Sequence, residues 1–117
     1  MNKITAIGDV HGSTKWRDIV NSNKDSKIVF LGDYLDPCGR YDVDEILYNL
    51  ISIIDFKRNN MDKVVLLLGN HDLHYISSEA EPCSRYDVHL ADKAESLFMG
   101  NIRLFQYAFQ MNNIIFT

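Results

Sequence analysis

Three short blocks hold most of the side chains in this 117-residue chain that could do chemistry: "GDVHG" (Gly8–Gly12), "GDYLDP" (Gly32–Pro37) and "GNHD" (Gly69–Asp72). Asp9 and His11 stand two residues apart, so on an extended segment their side chains share a face and suit two ligands of one ion. Asp33 and Asn70 add hard oxygen donors. Carboxylates crowded together repel one another and any phosphate, and a divalent cation removes both problems. The flanking glycines let the backbone turn sharply and approach a ligand closely. Taken singly, a Gly-Asp pair is a turn, Asn70 a strand-end cap and His11 an ordinary surface histidine. Three such pairs in succession point instead to a metal site.

Each block ends a short apolar run: "ITAIGD" (Ile4–Asp9), "IVFLGD" (Ile28–Asp33) and "VVLLLGN" (Val64–Asn70). Continuous apolar runs of this length fit strands buried on both faces, as in a parallel sheet. Helical spacing lies between them. Trp16, Ile19 and Val20 predict a helix over 14–21 with Ser13 or Thr14 as N-cap. Asp42 with Glu45 resembles a capping box, and Val43, Ile46, Leu47, Leu50 and Ile54 form the stripe of a helix over 42–57. Leu90, Ala94 and Leu97 space a further helix that stops at Gly100. Asn101 is expected to cap another carrying Ile102, Phe105 and Phe109, before a last strand in "NNIIFT" (Asn112–Thr117). The order β-α-β-α-β-α-α-β reads as an α/β fold with parallel strands and right-handed crossovers. In such sheets ligands gather at the carboxyl ends of the strands, where all three blocks lie.

The bulk numbers exclude several classes. A chain of this length supports one domain, 1–117. Its net charge of −4 gives no general basic field for nucleic acid. The longest apolar run, Val64–Leu68, is far too short to span a bilayer, and the N-terminus has no apolar stretch of signal-peptide length. Two cysteines, Cys38 and Cys83, are too few for a disulfide framework and read as reduced thiols of a cytoplasmic protein. A dinucleotide-binding reading fails because "GDVHG" lacks the Gly-x-Gly-x-x-Gly loop.

The ordered blocks "GDVHG", "GDYLD" and "GNHD" resemble the first three signature blocks of the calcineurin-like metallophosphoesterase superfamily, which includes the Ser/Thr phosphoprotein phosphatases. The resemblance implies the first half of a four-layer α/β sandwich. It implies two divalent ions (manganese favoured; iron, zinc, nickel or cobalt also accepted) and hydrolysis of phosphomonoesters on proteins or small molecules. It makes Asp9 and His11 ligands of the first ion, Asp33 the bridging carboxylate, and Asn70 a ligand of the second ion beside the substrate. It makes His71 the proton donor to the leaving oxygen, with Asp36 as its hydrogen-bonding partner. Asp72 is expected to fix the loop after the third strand.

The chain also departs from the family pattern. The family's Asp-Arg-Gly becomes Asp36-Pro37-Cys38-Gly39-Arg40, so Arg40 is either a displaced phosphate ligand or a surface arginine. No histidine follows His89, whereas the family's later blocks supply more metal ligands. The chain is therefore expected to be C-terminally truncated, with partial metal occupancy and weak activity. Rival readings are an inactive fragment that acts by association, or a parent acting on nucleotide or nucleic-acid phosphates. An uncovered sheet face is expected to drive self-association.

Overall fold

The computed structural model describes residues 3–76, 86–111 and 113–117. Strands β1 (Lys3–Ile7), β2 (Ser26–Phe30), β3 (Val64–Leu67) and β4 (Phe105–Gln106) form one sheet in that order. Every pairing in it is parallel. Helices α1 (Trp16–Asn21) and α2 (Val43–Arg58) make the first two crossovers, and α3 (Asn70–Ile76) and α4 (Val88–Gly100) lie between β3 and β4. The α/β order expected from the sequence is present. Cys83 and Asn112 lie outside the described residues.

Register is what positions the site. Ile7 pairs with Phe30, Phe30 with Leu66 and Leu66 with Phe105. The three strands that precede the polar blocks thus end in one row, and the blocks emerge along a single edge. The sheet alternates its faces. Ile28, Phe30, Val64 and Leu66 face a core shared with Leu50, Ile53 and Ile54 of α2 and Leu90, Ala94 and Phe98 of α4. The opposite face holds Val29, Val65 and Leu67.

Helix α2 begins where its sequence predicts, because the Asp42 carboxylate accepts the amides of Asp44 at 2.8 Å and Glu45 at 3.4 Å. Helix α1 is shorter than expected. Its N-cap is Lys15 without a side-chain cap, and Ser13 Oγ only accepts the Lys15 amide at 3.2 Å. Ile19 is exposed, and Trp16 and Val20 make the buried side.

The end of the chain departs from its periodicity. The helix expected after Asn101 is a single 3-10 turn, Ile102–Leu104, followed by β4. Phe105 is buried against the rings of Phe98 (5.3 Å) and Tyr34 (5.8 Å). Burying an aromatic side chain contributes about 2 kcal/mol, more than the helix propensity it forgoes. The segment "IIFT" is not a further strand of the main sheet. It forms β6 (Ile114–Phe116), antiparallel to β5 (Phe109–Met111) in a separate two-stranded sheet. Phe109 and Phe116 of this hairpin pack on Val29, Val65 and Leu67, so the second sheet face is covered there within the chain. Among the described residues, no helix is long and apolar enough to cross a membrane.

Candidate metal centre

The loops after β1 and β2 are stitched together by their backbones. The His11 amide donates to the Asp33 carbonyl and the Gly12 amide to the Tyr34 carbonyl, both at 2.8 Å. Among the described residues, four that are not glycine have positive φ: Asp9 (49°), His11 (41°), Asp33 (54°) and Asp36 (63°). All four are site residues expected from the sequence. Asp and His tolerate the left-handed region better than most residues, but each such position still costs on the order of 1–3 kcal/mol. Asp9 and His11 therefore do not converge as alternate residues of an extended segment. They converge because the chain turns tightly at both positions.

One ligand atom each from Asp9, His11 and Asp33 lies within 4.8 Å of the others. His11 Nδ1 is 2.7 Å from the Leu35 carbonyl, so Nδ1–H donates and Nε2 keeps its lone pair. Asp33 Oδ1 accepts the His71 amide at 2.9 Å. Asp72 is fully buried beneath this loop. Its carboxylate accepts the amides of Asp33 (2.8 Å), Tyr34 (3.0 Å) and Gly69 (2.8 Å). Burial pushes the Asp72 carboxyl up to about 7, against the three amide bonds that pull it down. Two glycines allow this close packing. Gly32 has φ 103°, and a Cβ there would lie 2.9 Å from Gly69 Cα. A Cβ on Gly69 would lie 2.7 Å from Asp33 Cγ.

A second cluster joins Asp36, His71 and His74, all buried. Asp36 Oδ2 lies 3.0 Å from His71 Nδ1 and 2.6 Å from His74 Nε2. Asp36 Oδ1 accepts the Tyr75 hydroxyl. Burial lowers the His74 pKa, although Asp36 opposes it. The His11 and His71 rings meet edge to face at 5.2 Å, so the two clusters adjoin.

The structure brings His71 and Asp36 together at hydrogen-bond distance and sets Asp72 against three loop amides. Asn70 is exposed as the first residue of α3, directly before the residue whose amide binds Asp33. Arg40 is exposed on the loop after Gly39. From the sequence His74 reads as a residue at the mouth of the site or an ordinary histidine, and Tyr75 has no assigned part. Their signal was spacing: three and four residues after His71, they share its face of α3.

The first cluster suits a divalent ion by its chemistry. Two carboxylates and one imidazole with a fixed tautomer converge at the carboxyl edge of a parallel sheet, and their charge calls for a cation. This is the donor set of a metal-dependent α/β hydrolase. The calcineurin-like phosphoesterase family matches residues 2–116, and the chain belongs to that family. Membership implies metal-dependent hydrolysis of phosphoesters. Among curated proteins, none matches the chain.

Proposed function

We propose that the chain hydrolyses phosphomonoesters, phosphoprotein side chains among them, at a two-ion site. Asp9, His11 and Asp33 would hold the first ion, manganese by preference, and Asp33 with Asn70 the second. When bound, such ions neutralise phosphoryl charge and acidify water for in-line attack. The remaining work falls to the protein. Asp36 Oδ2 accepts the Nδ1–H of His71, and the ring, when it carries a second proton on Nε2, would pass that proton to the leaving oxygen. Arg40, exposed on the loop after Gly39, would meet phosphate oxygens with its guanidinium fork.

The observation that carries this reading is the convergence of Asp9, His11 and Asp33 beside the Asp33–His71 bond. Only Asp33 and Asn70 are assigned to the second ion, so it is expected to bind more weakly and turnover to be modest. Electron paramagnetic resonance of added Mn2+ and p-nitrophenyl phosphate hydrolysis test the proposal. Partial uptake of one Mn2+ with slow hydrolysis is expected, both lost in Asp33→Asn. Uptake without hydrolysis would favour a chain that acts by association alone. That association is proposed to use the hairpin, where Ile114 (54%) and Ile115 (65%) stay exposed. Sedimentation that is independent of concentration would count against it.

A further inference from the structure

Asp36 is a buried carboxylate with both oxygens engaged. Its side chain is fully buried, and a buried carboxylate needs polar partners. Three groups lie against it, and all come from one face of α3. His71, His74 and Tyr75 stand at positions i, i+3 and i+4, so a single short helix turns two imidazoles and a hydroxyl onto the same carboxylate. His74 is itself fully buried, edge-on to Tyr75 at 4.3 Å and to Tyr86 at 5.0 Å. Tyr75 and Tyr86 stack at 5.0 Å. These rings shield the His74–Asp36 contact from water.

The direction of the Tyr75 bond is also fixed. Its oxygen accepts the Asp87 amide at 2.9 Å, so its own hydrogen is turned toward Asp36. Asp87 is the N-cap of α4, accepting the His89 amide at 2.8 Å, and it also accepts the Tyr41 hydroxyl. The start of α4 thereby orients a donor aimed at Asp36.

We propose that His74 and Tyr75 are positioning residues that hold the Asp36 carboxylate against His71, so that His71 keeps its proton on Nδ1 and presents Nε2 to the phosphoester. The proposal rests on the reading of His71 as the group that faces the leaving oxygen. Two imidazoles and a carboxylate could alternatively bind an ion. Ligand atoms about 2 Å from a tetrahedral ion stand about 3.3 Å apart, however. The 3.0 Å between His71 Nδ1 and Asp36 Oδ2 is a hydrogen bond, and the 2.6 Å between His74 Nε2 and Asp36 Oδ2 is an ion-pair contact shorter than that spacing.

The test is the tautomer of His71, read from long-range 1H–15N correlation spectra of the metal-free protein at about pH 8.5, above the ordinary imidazole range. The wild-type protein is expected to show Nδ1–H at His71. In His74→Ala and in Tyr75→Phe, which removes a single hydroxyl, His71 becomes a mixture of tautomers. His74→Gln restores an N–H donor and returns His71 toward Nδ1–H. With Mn2+ and p-nitrophenyl phosphate, kcat falls about 10-fold in the two disruptive variants with KM unchanged, and His74→Gln recovers most of the loss. An unaltered Nδ1–H signal at His71 in folded His74→Ala and Tyr75→Phe overturns the proposal. So does uptake of a Zn2+ equivalent that survives Asp33→Asn but is lost in His74→Ala, because the cluster is then a metal site. The spectra need no metal, so failure of Mn2+ to bind at Asp9, His11 and Asp33 would strike the proposed function and leave this inference standing.

Discussion

Asp72 and Asp33 are tied by the backbone of one and the carboxylate of the other: the Asp33 amide donates to Asp72 Oδ2 at 2.8 Å, and Asp33 Oδ1 stays turned to the His71 amide. The buried residue anchors the backbone of the candidate metal ligand. Asp72→Asn keeps the shape but offers one acceptor oxygen to three amides, leaving at least one donor unpaired. That loss costs about 3 kcal/mol, and relief of the buried charge offsets part of it. A net destabilisation of about 2 kcal/mol is expected in urea unfolding, together with weaker Mn2+ uptake.

Gly32→Ala should be damaging although the added group is a single methyl. The position has φ 103°, and the new Cβ meets the Gly69 backbone, which cannot swing aside as a side chain would. Strain on the order of 2–3 kcal/mol is expected. Thermal unfolding reads the stability, and Mn2+ titration reads the displacement of Asp33. A variant as stable as the parent would show that β2 and β3 part more easily at this edge than their packing implies.

Bound metal should stabilise the fold by mass action. At about 100 times its dissociation constant, Mn2+ is expected to add about 2.7 kcal/mol to unfolding, and a chelator should remove it. Asp9→Asn should abolish the increment while leaving metal-free stability within about 0.5 kcal/mol, because Asp9 is exposed.

Asp87 gives a dependence on pH. The Tyr41 hydroxyl bond, ahead of the helix amides, holds its carboxyl below the ordinary value of 3.8. A depressed folded-state pKa contributes stability above the unfolded value, and that stability is lost as pH falls through the folded one. Asp87→Asn keeps a capping side chain without the charge, so it should be slightly less stable than the parent at neutral pH, by less than about 1 kcal/mol. The two curves should converge below pH 3.8. Chemical denaturation across this range reads the difference, and a constant gap would refute the assignment.

The fold was legible where apolar runs and capping chemistry agree. The runs ending at Ile7, Phe30 and Leu67 became β1, β2 and β3, and Asp42 capped α2 as its spacing implied. The stretch from Asn101 was misread because Ile102, Phe105 and Phe109 fit a helical stripe as well as they fit strands. The choice was made by distant partners, Leu66 on one side and the Phe98 and Tyr34 rings on the other. At the site, residue types identified Asp9, His11 and Asp33, but local spacing gave the wrong reason for their meeting. Positive φ at these residues is imposed by bonds between loops, such as His11 to Asp33, and no local pattern encodes it. The link of His74 to Asp36 was not legible because Asp36 is 38 residues earlier in the chain and becomes a neighbour only through the parallel crossover.

The shared row of Ile7, Phe30 and Leu66 also bears on the time course of assembly. Lys3 pairs with Ser26, a separation of 26 − 3 = 23 residues, and Ile28 with Val64, a separation of 64 − 28 = 36. Such distant pairings close late and slowly in a folding chain. The ion cradle cannot exist before both ladders have zipped, so affinity for Mn2+ should be the last property a refolding molecule acquires. In stopped-flow refolding, fluorescence from the single tryptophan, Trp16, should settle as its ring packs on Phe30 and Phe56, with metal capture following as a separate, slower phase.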